Sequence, residues 1–277
     1  SLRFKLIAGG ILILLIPLIS VGVLSMSKTA TALTTISERQ AHEIAKDLAK
    51  FVKEMVESEF IKTKILAEKQ IVVMAADAQN REEILDLTNV NHNLHKTVQS
   101  MGNNYEAIFV TDSKGNIFSG GVEGKKKDFQ SYFDGNIADQ DYFKKTISSG
   151  DVTISDPMKS TIKYDAVSIV CAPIKASDNI VGSFCMVIRI SYFTDTISNR
   201  KIGNTGYGYM LSKDGTVISH PVKKHILTLN ARTLKGMELF LDKMYSNESG
   251  IDKYLFQGVN KIAGYASVGI NGWHIAT

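Results

Sequence analysis

Residues 6–26, LIAGGILILLIPLISVGVLSM, run for 21 positions without a charged side chain. A helix of roughly 20 apolar residues crosses the hydrocarbon of a bilayer, so this run constrains the chain more than any other feature and predicts a transmembrane helix within 1–26. A cleavable leader is the competing reading, because Ala30 and Ala32 in KTATAL imitate a small-residue cleavage site. The apolar part of such a leader covers about 7–15 residues, and this run is longer. Arg3 and Lys5 precede it, which predicts a cytoplasmic N-terminus, an inner-membrane span and an extracytoplasmic, periplasmic location for residues 27–277.

The remainder is long enough for one large domain or two smaller ones, each with its own core. Apolar residues make up 44% of the chain and charged residues 22%, with a net charge of +4. That charge is small and scattered, and no stretch strings cations and aromatics along one face, so nucleic acid is not an expected partner. Lys125-Lys126-Lys127 is the only cationic run and reads as a solvated loop.

From 27 to 80 the chain is proline-free. Ile44, Leu48, Phe51, Met55, Ile61, Ile65 and Ala67 recur at helical spacing, while Glu43, Lys46, Lys50, Lys53 and Glu54 fill the other face. This predicts a long amphipathic stalk helix leaving the membrane. Beyond it the pattern changes to short apolar alternations broken by Gly, Asn and Asp, as expected for strands and turns. AIFVTDSKGNIFSG at 107–120 is echoed by GYMLSKDGTVISH at 208–220, about 100 residues later. Each reads as a hairpin whose turn glycine supplies a positive φ. The expected fold is therefore α+β, two modules with antiparallel sheets at 81–198 and 199–277. Cys171 and Cys185 flank the turn KASDN and face each other across a hairpin; a cross-strand disulfide competes with two buried thiols acting as small apolar residues, and the thiols are the favoured reading.

Catalytic patterns are mostly missing. His42-Glu43-Ile44-Ala45-Lys46 begins like a zinc-protease helix but ends in lysine where the second ligand should stand. His92 and His95 are three apart without a third ligand nearby. Gly206-Tyr207-Gly208 lacks the third glycine of a nucleotide loop. No metal, cofactor or enzymatic activity is expected, although a membrane-anchored extracytoplasmic enzyme remains the alternative of a different class.

VTDSKGNIFSG, then DQDYFKK followed by ISDPM, then GYGYMLSKDGTVISHP, then KIAGYASVGINGWHIA occur in that order. In this the chain resembles the double Cache sensor domain of bacterial methyl-accepting chemotaxis receptors. The resemblance implies a stalk helix that dimerises in parallel, a membrane-distal PAS-like module that binds a small solute, a proximal module, and a second membrane helix after Trp273. A sensor kinase or diguanylate cyclase could carry the same ectodomain.

Within the resemblance, Gln140 stands where amino-acid-binding members place an arginine for the ligand carboxylate, and Val187 falls near the position of their ammonium-binding aspartate. Met158 replaces a tyrosine, while Tyr142 and Phe143 keep the aromatic wall. Ser155 and Asp156 are expected as polar contacts or turn formers beside it, and Phe118 and Phe133 as flanking aromatics. The expected ligand is a polar or partly aromatic solute other than a free α-amino acid, because an unpaired buried charge costs several kcal/mol. Lys159, Lys163 or Arg189 could pair with an organic acid. Gly203–Tyr209 and Tyr265–Trp273, rich in glycine and aromatics, are expected to relay without binding, with Trp273 at the membrane interface and its N–H wet.

Overall fold

The computed structural model describes residues 2–77, 87–124, 135–162, 166–203, 206–256 and 258–277, with side chains described outside 2–13, 16, 87 and 88. Helix α1 (Leu2–Ala67) is continuous through Pro17, and a break at Glu68 and Lys69 separates it from α2 (Gln70–Asp77). Among the described residues no helix is long and apolar enough to cross a membrane. The expected span, 6–26, falls partly on residues whose side chains lie outside the described set.

The buried seam of α1 differs from the expected stripe. Ala41, Ala45, Leu48, Val52, Val56, Glu59, Thr63 and Ala67 are buried at steps of three or four. Phe51, Ile61 and Ile65 are exposed instead. Small residues let a helix lie close on a sheet, whereas large apolar side chains at the same spacing would hold it away. Of the expected stripe, Leu48 and Ala67 are in the seam and Ile44 and Met55 pack at its edge, so hydropathy misplaces only the large residues Phe51, Ile61 and Ile65.

Helix α3 (Leu87–Met101) leads into the first sheet, of β1 (Tyr105–Asp112), β2 (Ile117–Val122), β3 (Thr153–Ile154), β4 (Met158–Lys159), β5 (Ala166–Ala176) and β6 (Asn179–Arg189). Its order is β2-β1-β6-β5-β3, with β4 also on β5. Helix α4 (Asp141–Ser149) packs on the outer face of this sheet, away from the stalk. Helix α5 (Ile190–Ser198) runs straight out of β6 into a small hairpin, β7 (Lys201–Ile202) and β8 (Gly206–Tyr207). The second sheet contains β9 (Tyr209–Leu211), β10 (Val217–Ser219), β11 (Ser249–Phe256), β12 (Val259–Ser267) and β13 (His274–Ala276), with α6 (Glu238–Ser246) before β11. Its order, β10-β9-β13-β12-β11, repeats that of the first sheet.

The echoed hairpins occupy the same edge of their sheets. Gly115 and Gly215 take φ of 81° and 90°, and an aspartate ties each turn. Asp112 accepts the Lys114 and Asn116 amides at 2.9 Å, and Asp214 accepts the Thr216 hydroxyl at 3.0 Å. A glycine also lets a helix approach each sheet. A Cβ on Gly121 would lie 2.5 Å from the backbone nitrogen of His95 in α3, and one on Gly264 would lie 2.5 Å from the Cα of His42 in α1.

One apolar cluster joins α1, α2, α3 and α5 to the inner faces of both sheets, and each outer face has a cluster of its own. Trp273 is fully buried in the shared cluster, and its indole N–H has no hydrogen-bond partner. The expectation of a wet interfacial indole is thereby overturned, because the turn before β13 folds Trp273 back under the stalk. Cys171 and Cys185 are register partners and form a disulfide, against the expectation of two thiols.

Candidate functional site

Two places on the molecule gather chemistry. The first is the outer face of the distal sheet, beneath α4. Gln140 is the N-cap of α4, in extended conformation, without a side-chain cap bond, and it is exposed. Asp141 therefore lies inside the first turn, not at the cap, where its charge favours the helix N-terminus. Gly150, at φ 70°, ends the helix in the left-handed conformation. Tyr142 and Phe143 are buried against Ala107, Phe109, Val187 and Ile169, with Met158 and Ile162 half-buried at the edge. Burial pushes the Tyr142 phenol well up. The structure thus brings together Tyr142, Phe143, Met158 and Val187 from the sequence candidates.

Phe118 is not among them. It points to the helix side of the sheet and packs against the cluster shared with the stalk, because alternate residues of β2 face opposite ways. Phe133 and Lys163 lie outside the described residues. Ser155 is a turn former: its hydroxyl donates to the Asp156 carbonyl at 2.8 Å and accepts the Ile169 amide at 2.9 Å. Asp156 reaches to the other module. It accepts from Asn271 at 2.7 Å and pairs with Lys213 at 3.3 Å, clamping the ISDPM turn onto the β12–β13 and β9–β10 turns.

Glu106 and Glu123, both missed by the sequence reading, flank this face together with Arg189. Glu106 is fully buried, one of its oxygens accepting from the Ser160 hydroxyl at 2.8 Å. Arg189 pairs with Glu123 and also donates to the Asn103 carbonyl. A bulge in β1 between Tyr105 and Ala107 turns Glu106 inward, and strand alternation alone does not reveal it.

A second buried carboxylate joins the stalk to the distal module. Glu59 is fully buried on α1, 2.6 Å from Lys62, and accepts from the Tyr105 hydroxyl at 2.9 Å. Burial, and then the Glu59 charge, raise the Tyr105 and Tyr192 phenols and keep them as donors. Tyr192 lies on α5, so one carboxylate engages the stalk, β1 and the helix leading to the proximal module.

The second place is a cavity of about 230 Å³ on the outer face of the proximal sheet. Between the modules runs an open groove of about 1010 Å³ that reaches Met158, Ser219 and Lys224. His42 of the protease-like pentapeptide lies against β12, and among the described residues no group of three or more His, Cys, Asp or Glu could hold a metal ion.

Comparison with known proteins fits this architecture. The sequence profile of the Cache domain matches residues 26–277. Methyl-accepting chemotaxis protein TlpA of Bacillus subtilis is 23% identical over 281 aligned positions, covering 100% of this chain and 38% of TlpA. McpA of the same organism is 25% identical over 177 positions, covering 64% of this chain and 24% of McpA. The chain therefore spans well under half the length of these relatives. Among solved structures, the ligand-binding domain of the Pseudomonas aeruginosa amino acid chemoreceptor PctB, in complex with L-Arg, aligns with a TM-score of 0.61 at 16% identity, covering 86% of this chain and 93% of that one. With two sheets of one topology strung along a single stalk, and a profile match that leaves out only the first 25 residues, this chain belongs to the Cache domain family.

Proposed function

We propose that the chain is the extracytoplasmic sensor region of a transmembrane chemoreceptor, and that it binds a small solute, without catalysis, on the outer face of its distal module. The family match over 26–277 carries the sensor reading, and the chemotaxis relatives favour that output over a kinase or cyclase. The membrane reading is supported by the uncharged run at 6–26, whose described residues Leu14, Leu18, Ile19 and Leu24 are at least 60% exposed on a continuous helix. Exposed Phe51, Ile61 and Ile65 on the same helix suit a parallel homodimer through the stalk.

For the ligand, the supporting observation is the seating of Tyr142 and Phe143 against Val187, with the neutral Gln140 at the helix cap. An α-amino acid brings a carboxylate and an ammonium, and leaving either unpaired when buried costs several kcal/mol. Arg189 is already committed to Glu123, so it is a poor clamp for a ligand carboxylate. The L-Arg in PctB does not carry over at 16% identity. The solute we infer is polar or partly aromatic and lacks that paired charge.

A thermal-shift screen of the chain against amino acids, organic acids, amines and nucleobases tests this, repeated with Tyr142→Ala and Gln140→Ala. A hit outside the α-amino acids that is lost with Tyr142→Ala is expected. Micromolar binding of a common amino acid, lost in either variant, would overturn the ligand reading. A phosphatase reporter fused at position 100 should be active, and an inactive one would overturn the topology.

A further inference from the structure

We propose that the proximal cavity is a second ligand site, specific for a small uncharged molecule with a flat apolar body and one hydrogen-bonding end. It stands on different residues from the distal reading, does not depend on it, and replaces the expectation that Gly203–Tyr209 relays without binding. The walls are the rings of Tyr207, Tyr209, Tyr254 and Phe256 with the imidazoles of His220 and His225, and Leu211, Val217 and Leu229 complete them. The rings are mutually ordered: Tyr207 meets His220 edge-on at 5.0 Å, and His220 meets His225 edge-on at 5.0 Å.

Two observations point to an occupant beyond the shape. The Tyr209 side chain is 93% buried, yet its hydroxyl has no hydrogen-bond partner. The Tyr254 hydroxyl stands beside it within side-chain hydrogen-bonding reach, short of the geometry of a full hydrogen bond. Buried polar groups in folded proteins are nearly always partnered; the Tyr209 ring lines the cavity with its hydroxyl closed off from water, and that hydroxyl gains a full partner when the lining rings part around a bound molecule. His220 supplies a second polar edge. Its Nδ1 accepts the Val222 amide at 2.9 Å, and burial followed by the adjacent His225 lowers its pKa, so the neutral ring carries its proton on Nε2.

The absence of charge fixes the class. Among the described residues lining the cavity there is no carboxylate, lysine or arginine, so a bound ion would be desolvated without a counter-charge. A neutral planar molecule loses no such hydration and can stack on the tyrosine rings. Val222, 43% exposed, stands at the mouth and leaves a path from solvent.

The test uses three probes of one shape and different charge: benzamide (neutral), benzoate (anion) and benzamidine (cation). Each is titrated calorimetrically into the 277-residue chain and into Tyr209→Phe, Val222→Trp and Tyr142→Ala. Benzamide is expected to bind at one site and the two ions not measurably. Tyr209→Phe should weaken benzamide about five-fold, the worth of one hydrogen bond, while leaving the melting temperature of the free chain unchanged or higher, since it deletes an unpartnered group. Val222→Trp should abolish binding by filling the mouth, and Tyr142→Ala should leave it intact. Equal affinity for benzoate or benzamidine would overturn the uncharged class. Loss of benzamide binding with Tyr142→Ala would move the site to the distal module, and no binding, or binding insensitive to Tyr209→Phe and Val222→Trp, would overturn the proposal.

Discussion

The distal and proximal modules repeat one strand order, and both lay the inner face of the sheet on the alanine-rich seam of the stalk, but they finish their outer faces differently. In the distal module a two-turn helix, α4, lowers Tyr142 and Phe143 onto the sheet, and the Cys171–Cys185 disulfide staples its central hairpin. In the proximal module α6 holds the corresponding place before β11 and seats Phe240, Leu241 and Met244 on the sheet, and two single 3₁₀ turns, Lys223–His225 and Ala231–Thr233, precede it. Leu229, Ala231 and Leu234 from this segment reach the sheet, and the cavity lies between them and the tyrosines of β8, β9 and β11. The same topology thus carries a covering helix in both modules, and in the proximal one the segment ahead of that helix roofs a cavity beside it.

The largest effect expected to break this comparison comes from Trp273. Replacing it with alanine empties the cluster shared by stalk and proximal sheet and should cost about 3–5 kcal/mol in urea unfolding. A loss below about 1 kcal/mol would place the indole at the surface after all. Next is the distal staple. The Cys171→Ala/Cys185→Ala chain should lose about 2–4 kcal/mol relative to the oxidised protein, and dithiothreitol should lower the melting temperature of the parent but not of the variant.

Acid should sharpen the difference between modules. Burial lowers the pKa of His220 and of His274, both in the proximal module. The unfolded chain binds these protons more readily, so the stabilisation is complete above the ordinary histidine value of about 6.5 and is lost as pH falls below it. Between pH 7.5 and 5.5 amide exchange should rise first in β9, β10 and β13, and His220→Phe/His274→Phe should flatten that dependence. Faster exchange in β5 and β6 instead would refute it. The smallest effect is that of Asp156→Ala, whose partly exposed pair with Lys213 is worth at most about 1 kcal/mol. Its signature is a loosened clamp, read as separate melting of the two modules in calorimetry; a single unchanged transition would show that the shared apolar cluster and α5 couple them without the clamp.

Local chemistry made much of this molecule legible from its residues. The Asp-bearing turns at Gly115 and Gly215, the paired strands around Cys171 and Cys185, and the helix at Asp141 follow from backbone preferences within a few neighbouring residues. The order of motifs carried the family. Three-dimensional packing decided what depends on distant partners. It left Phe51, Ile61 and Ile65 of the apolar stripe outside the seam, and it set Ala41 against Gly264, where close approach rewards a small residue. It turned Phe118 to the helix side, drew Glu59 and Glu106 inside, and set Asp156 between the modules. It buried Trp273 and left the Tyr209 hydroxyl at the wall of a cavity. Turn and strand preferences act over a few residues and are written along the chain, whereas burial of a carboxylate or an indole is set by groups up to 236 positions away, the span that Thr277 closes when its hydroxyl donates to the Ala41 carbonyl.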